Sequence, residues 1–125
     1  MSVTNAGKAL AAGLLNGYGS PAAVTYLAYG TGTTAFAASQ VALVTESQRE
    51  AGTASLTTTT VTNDTAQLTK TFTISGTETI TEIGAFNASS GVTMFARATS
   101  TDAAFSAKSV TSGDSFALTY KCKCS

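Results

Sequence analysis

The sequence predicts a mainly β fold, an antiparallel β-sandwich with a short N-terminal α-helix. Thr, Ala, Ser and Gly dominate the composition, and Thr favours strands whereas Gly and Ser favour turns. Several stretches alternate apolar and polar side chains with a period of two, as half-buried strands do. A length of 125 residues fits one domain, with the helix in residues 1–17 and the sandwich in residues 24–125.

The helix is predicted from its caps and from one apolar stripe. Thr4 or Asn5 can cap the N-terminus, and Gly17 follows Asn16 as the usual residue just past a helix C-terminus. Apolar residues recur at helical spacing in this segment: Val3, Ala6, Leu10 and Leu14. The two internal glycines each weaken the helix by up to about 1 kcal/mol relative to Ala. A helix this weak must dock on the sheet or on another subunit.

A strand is predicted at residues 24–29, which are rich in β-branched and aromatic side chains. It ends in the loop GTGTT at residues 30–34. Two glycines in a loop suggest phosphate binding, but this loop lacks the lysine of a P-loop and the third glycine of a dinucleotide fingerprint. The loop therefore indicates a tight strand exit.

The next stretch predicts a short helical turn, a charged loop and a second strand. Residues 35–46 predict the turn, starting near Ser39. The densest charge cluster of the chain follows, and it predicts a solvated loop: Glu46, Arg49 and Glu50. Residues 54–62 then predict a Thr-rich strand that faces water.

Residues 68–97 organise the predicted fold and contain three strands. Apolar residues alternate with threonines in the first strand: Leu68, Phe72 and Ile74. Lys70 interrupts this apolar side, which predicts a position near a sheet edge, with its head in water. Turn formers then lead to strands at residues 80–86 and 92–98. Because short links cannot join parallel neighbours, the three strands are predicted to form an antiparallel meander.

The second of these strands carries the candidate structural site. Gly84 lies inside it, and a strand glycine often marks a bulge or a close backbone approach. Glu82 lies on the same face, Phe86 follows, and Arg97 on the third strand can pair with Glu82. Two readings stay open. The first is a surface ion pair worth roughly 0–1 kcal/mol. The second is a partly buried pair that fixes the strand register or meets a neighbouring subunit.

The last strand is predicted at residues 115–124, where the alternation is clean. One face takes Phe116, Leu118, Tyr120, Cys122 and Cys124, and the other takes Ala117, Thr119, Lys121 and Lys123. One buried cluster is expected to hold the large apolar side chains: Phe72, Ile74, Phe86, Phe116 and Leu118.

Cys122 and Cys124 are the two cysteines of the chain. Two residues apart on a strand, their Cα atoms are roughly 6.6 Å apart, at the limit of disulfide geometry. Two reduced thiols are the favoured reading, with Cys122 packed in the core. Intermolecular ligation through the C-terminal residues is the alternative.

The residue inventory argues against an enzyme, a cofactor and a metal site. The chain has no histidine, and its seven acidic residues show no obvious pairing. Glu78 and Glu82 are nearest, but four strand residues span about 13 Å, too far for paired acid–base work. The seven basic residues form no patch that would bind nucleic acid, and the net charge is zero. No apolar run is long enough for a membrane span, and Met1 to Gly17 is a poor signal peptide, so synthesis is expected in the cytoplasm.

The segment ITEIGAFNASSGVTMFAR, with the upstream YLAYGTGTTA and the downstream GDSFALTYK, resembles a group of small tailed-bacteriophage virion proteins. In those proteins an apolar strand leads into TE-x-G-x-F-[ND], then a Gly-containing turn and L/M-x-A-R. The resemblance runs over residues 24–121, and its motifs are structural rather than catalytic. It implies a structural component of a phage virion, made in the host bacterial cytoplasm.

The first expected role is a capsid decoration or cement protein on the head shell. A tail, neck or fibre-attachment protein is the alternative, and a carbohydrate-binding module is a more distant one. Decoration is favoured because the chain shows no repeat or coiled coil, and sugar binding is disfavoured because it has no Trp. The expected partners are copies of the chain itself, as in a closed ring such as a trimer, and the major capsid protein or tail and neck proteins.

Overall fold

The structure is a computed structural model that describes residues 1–91 and 93–125. It is mainly β with antiparallel sheets and one helix near the N-terminus, as the sequence predicted. A 3₁₀ turn at Ser100–Asp102 follows the eighth strand. The bounds are β1 Ser2–Val3, α1 Asn5–Asn16, β2 Tyr26–Gly30, β3 Glu46–Ala51, β4 Thr53–Thr57, β5 Thr65–Thr73, β6 Glu78–Ile80, β7 Glu82–Phe86, β8 Met94–Thr99, β9 Lys108–Val110 and β10 Ser115–Lys123.

Two larger sheets pack face to face. One has the strand order β1-β8-β7-β2-β3 and the other the order β10-β5-β4, while β6 and β9 form a small pair of their own. The main core lies between the two larger sheets, where Leu27 and Tyr29 of the first meet Leu68 and Phe72 of the second. The Tyr29 and Phe72 rings pack edge to face with centroids 5.0 Å apart, a favourable geometry for aromatic pairs.

The predicted three-strand meander is wrong. Its first strand is β5, which pairs with β10 and β4 in the second sheet, whereas its third strand, β8, pairs with β7 in the first. The predicted strand at residues 80–86 is split at Thr81 into β6 and β7. The physical reason is that a short link also joins strands of opposite sheets in a sandwich. Val92, the predicted start of the third strand, lies outside the described residues.

The helix begins and ends where its caps predicted. The Thr4 hydroxyl accepts a hydrogen bond from the Gly7 N–H at 2.8 Å, and Gly17 adopts a left-handed conformation with its N–H on the Gly13 carbonyl. α1 lies directly against β8. A Cβ built on Gly7 would stand 2.1 Å from the Phe95 carbonyl oxygen, so this glycine permits the close contact that offsets its helix cost.

The predicted helical turn in residues 35–46 is absent. Residues 31–45, the covering loop, instead lie over the outer face of the five-stranded sheet. Leu43 of this loop packs with Phe86 and Met94 in a second apolar cluster. The expectation of one core is therefore wrong for Phe86. The other expected core residues, Phe72, Ile74 and Leu118, lie in the main core, with Phe116 half-buried against it.

The charge cluster lies on a strand rather than in a solvated loop, because all three of its residues belong to β3. The Arg49 guanidinium stacks 3.5 Å from the Phe86 ring centroid and pairs with Glu46 at 2.7 Å. Lys70 lies on the central strand of its sheet rather than on an edge strand, and its ammonium pairs with Glu50 at 2.6 Å. The Lys70–Glu50 pair links the two larger sheets, because Lys70 lies on β5 and Glu50 on β3, whereas Arg49 lies over Phe86 of the second apolar cluster.

The last strand follows the predicted alternation. Leu118 and Tyr120 are buried, and their neighbours along the strand are exposed. Cys122 is half-buried against the core, whereas Cys124 is exposed and lies beyond the end of β10. The predicted strand at 54–62 is shorter, because β4 ends at Thr57 and the Asp64 carboxylate accepts backbone N–H bonds from the turn that follows.

Candidate functional site

Glu82 and Arg97 form a fully buried ion pair, so the surface reading of this pair is wrong. Arg97 Nε donates to Glu82 Oε1 at 3.0 Å, and Nη2 lies 3.0 Å from the same oxygen. Both side chains are 0% exposed. The β7–β8 register places Arg97 opposite Gly84 and Glu82 opposite Thr99, so the two charges meet diagonally across the strands. Leu43 fills the space that Gly84 leaves, 3.0 Å from the position of a Cβ.

The Glu82 carboxylate also binds both ends of the covering loop. Oε2 accepts from the Gly32 N–H and the Thr45 N–H, each at 2.8 Å, and Oε1 accepts from the Val44 N–H at 2.9 Å. Hydrogen bonds to a charged acceptor are the stronger ones in proteins. One carboxylate therefore joins the start of the loop, the end of the loop and the neighbouring strand.

Arg97 holds the middle of the same loop. Its Nη1 donates to Gln40 Oε1 at 3.2 Å, and its Nη2 donates to the Thr34 carbonyl at 2.9 Å. Within the described residues, no buried side-chain nitrogen or oxygen lacks a hydrogen-bond partner. A buried ion pair needs this complete satisfaction, because its desolvation cost is otherwise not recovered.

The glycines of the GTGTT loop leave room for the Glu82 carboxylate and for the end of the covering loop that it binds. A Cβ on Gly32 would lie 2.4 Å from Glu82 Oε2, and a Cβ on Gly30 would lie 2.1 Å from the Thr45 carbonyl oxygen. The Gly32 N–H already donates to Glu82. The loop therefore presents its N–H group to a side chain of the same chain, which agrees with the tight strand exit that the sequence indicated. The sequence contains both halves of this contact, because Gly32 of the GTG motif donates to Glu82 of the TE-x-G-x-F motif. Neither motif alone predicts that the two meet.

The remaining titratable groups also have structural surroundings. Burial, and next the charge of Glu78, raises the pKa of Tyr29 to about 12, and the Tyr29 hydroxyl donates to Gln48. Backbone N–H groups, with that of Val61 first, lower the pKa of Asp64. In the described part of the chain, no cluster of His, Cys, Asp and Glu side chains could hold a metal ion. None of the helical residues described there forms a segment long and apolar enough to cross a bilayer.

A wide apolar groove of about 630 Å³ opens between α1 and the three-stranded sheet. The helix contributes Leu14 and Leu15, and Phe95 and Val24 continue the wall. The sheet side is made by residues of three neighbouring strands: Ala54, Leu56, Ala66, Leu68, Tyr120 and Cys122. No charged side chain is found among its described lining residues. The groove thus continues the apolar core to the surface at one end of the sandwich.

Large apolar side chains project at the rim of this groove. Leu15 is 90% exposed and Leu56 is 63% exposed, on opposite sides of the opening. A contiguous apolar surface of this kind is typical of a site that another molecule covers.

No family model, no curated protein and no solved structure matches this chain. The two features of the structure that bear on its function are the buried polar cluster and the open groove. The cluster makes the covering loop a fixed part of the sandwich, and the groove provides the exposed surface.

Proposed function

We propose that the chain is a structural component of a bacteriophage virion, and specifically a capsid decoration protein on the head shell. The observation that carries this proposal is the apolar groove with its exposed rim leucines. Exposing such an apolar surface to water is unfavourable in free energy, and assembly onto a larger particle removes the surface from water. The resemblance of residues 24–121 to small virion proteins supplies the kind of particle.

The composition supports a subunit that remains part of a larger assembly. Charged residues make up only 11% of the chain, and the net charge is zero. Proteins that stay free in solution usually carry more charge, because net charge limits self-association. The buried Glu82–Arg97 pair, which fixes the covering loop, supports a rigid and passive role rather than a moving one.

The proposal is tested by locating the chain in the particles of the phage that encodes it. Cryo-electron microscopy of virions, with antibody against the purified chain as a second label, should find many symmetric copies on the head shell. Label on the tail, neck or fibre base would replace the decoration role by the tail-protein alternative. Particles that contain none of the chain would refute the virion role in both forms.

A further inference from the structure

Three of the four outer strands in the two larger described sheets are protected against pairing with another chain. β1 is only two residues long and runs into the helix. β3 carries Glu46, Arg49 and Glu50, and β10 carries Lys121 and Lys123. Short length and charged side chains are the usual means by which proteins prevent edge strands from pairing.

β4 is the fourth outer strand, and it has no such protection. Its sequence, Thr-Ala-Ser-Leu-Thr, has no charge and no proline, and its first four residues are exposed. Among the described strands, β4 pairs with β5 alone, along one of its two sides. The backbone N–H and C=O groups on its other side can therefore take a further strand.

The two faces of β4 differ, and this sets the register that a further strand must have. All three of Ala54, Ser55 and Leu56 border the groove, but strand alternation turns the side chains of Ala54 and Leu56 to one face and that of Ser55 to the other. The Ser55 hydroxyl accepts from Gln67 Nε2 at 3.5 Å on that second face. Against β5, Leu56 stands opposite Ala66 and Ala54 stands opposite Leu68, so a large side chain always faces a small one.

We propose that β4 pairs antiparallel with β4 of a second copy of this chain, about a two-fold axis at Ser55. The two three-stranded sheets then join into one sheet of six strands. Leu56 of each copy stands opposite Ala54 of the other, which repeats the large-against-small pattern already present between β4 and β5. Directly opposite residues of an antiparallel pair project to the same face, so each Leu56 extends over the rim of the other copy's groove.

A second copy fits this edge because β4 is nearly its own complement. Read about Ser55, Thr53 meets Thr57 and Ala54 meets Leu56, so polar faces polar and apolar faces apolar at every position. No charge is brought against a like charge. A small apolar ligand in the groove would leave the backbone edge of β4 unpaired, and it would leave Leu56 exposed.

The test is a charge exchange at the two-fold axis, measured on the purified chain without phage particles. The wild type should sediment as a dimer. Ser55→Lys and Ser55→Asp should each weaken self-association by about a hundredfold, because each places like charges directly opposite one another. An equimolar mixture of the two variants should restore a dimer that native mass spectrometry identifies as the mixed species. Thr119→Lys, on the exposed face of the Lys-protected strand β10, is the matched control and should remain dimeric.

A wild-type monomer, a wild-type ring of another order, or a mixture that stays monomeric would overturn the pairing. If a charged variant fails to fold, Ser55→Cys decides the question. Opposite Cα atoms in an antiparallel pair lie about 4.5–5.5 Å apart, within the range of a disulfide. Oxidation should then give a dimer whose linked peptide contains residue 55, and a linked peptide without it counts against the pairing. Because no virion is present, this result does not depend on the proposed place on the head shell.

Discussion

Replacing the buried Glu82 by Gln tests whether the ion pair holds the covering loop. Gln keeps the size of the side chain but loses the charge and replaces one acceptor oxygen by a donor. In the wild type, that carboxylate accepts from three backbone N–H groups and from Arg97. Glu82→Gln therefore leaves a buried guanidinium without a counter-charge and at least one loop N–H without an acceptor.

The expected loss follows from this uncompensated charge. Removing one partner of a buried pair costs about 3–5 kcal/mol, which is a large part of a typical domain stability of about 5–15 kcal/mol. The midpoint of thermal unfolding should fall by about 10–20 °C in a domain of this size. Urea unfolding, followed by circular dichroism, measures the free energy directly.

The control is Glu50→Gln, since Glu50 pairs with Lys70 on the surface, where both side chains are partly exposed. It should cost no more than about 1 kcal/mol. The double variant Glu82→Gln with Arg97→Met should be less destabilised than the sum of the two single variants, because no buried charge is left alone. An equal and small effect of Glu82→Gln and Glu50→Gln would refute the argument from burial.

Four further predictions concern the core, the loop, a turn and the thiols. Phe72→Ala should cost about 3–5 kcal/mol in urea unfolding, because the ring is fully buried between the sheets. Gly32→Ala should cost about 1–3 kcal/mol or more, since its Cβ would lie 2.4 Å from a carboxylate oxygen of the buried pair. Asp64→Asn should destabilise the fold at neutral pH and less so in acid. The folded pKa of Asp64 is lowered, so its contribution is present above the unfolded value of about 3.9 and is lost as the pH falls. Cys122 and Cys124 should both take a label when the purified chain is alkylated under denaturing, non-reducing conditions, as free thiols do.

Each of these has a control or a contradicting result. Gly76→Ala is the match for the loop glycine, because a Cβ there meets nothing within 4 Å, and it should be nearly neutral. A Phe72→Ala protein as stable as the wild type would contradict the core assignment. A difference between Asp64→Asn and wild type that does not shrink in acid would mean that the carboxylate is not the acceptor in the turn. Unlabelled cysteines would favour a disulfide.

The sequence predicted best those elements whose surroundings differ sharply on two sides. β10 has the main core on one face and water on the other, so its alternation gave its faces and its end to within a residue. The helix was defined by local chemistry at Thr4 and Gly17, which depends on few distant residues. Such signals are carried by the residues themselves.

The sequence predicted less well where a distant segment decides the environment. β7 is buried on both faces, because the covering loop lies on one side and the other sheet on the other. Periodicity cannot show that cover, so it does not distinguish a surface position from a buried one for the Glu82–Arg97 pair. The strand link after β5 was equally ambiguous, since a short connection suits a neighbour in the same sheet and a strand in the facing sheet. The hydrogen-bonded pairing of β5 with β10 shows that β5 belongs to the facing sheet.

The helix raises a question that a single substitution answers better than a deletion. The sequence predicts that the weak helix docks on the sheet or on another subunit, and deleting residues 1–17 is the simplest test of that prediction. In the structure, however, β1 pairs with the outer side of β8, and the Thr4 hydroxyl donates to the Met94 carbonyl at 2.7 Å. The deletion would also remove the buried Leu10 from the main core. It would therefore open a sheet edge and destabilise the fold, so a loss of assembly would have two causes.

Leu15→Lys separates them, because Leu15 is 90% exposed and lines the groove. An exposed helix position changes the free energy of unfolding by no more than about 0.5 kcal/mol. A covered one loses its apolar contact and buries a charge. We therefore expect unchanged stability in urea, but reduced binding of the purified variant to particles that lack the chain. Val41→Lys is the control, since Val41 is also partly exposed but lies in the covering loop on the far face of the five-stranded sheet. Equal particle binding by both variants and the wild type would show that the groove is not the surface that assembly covers.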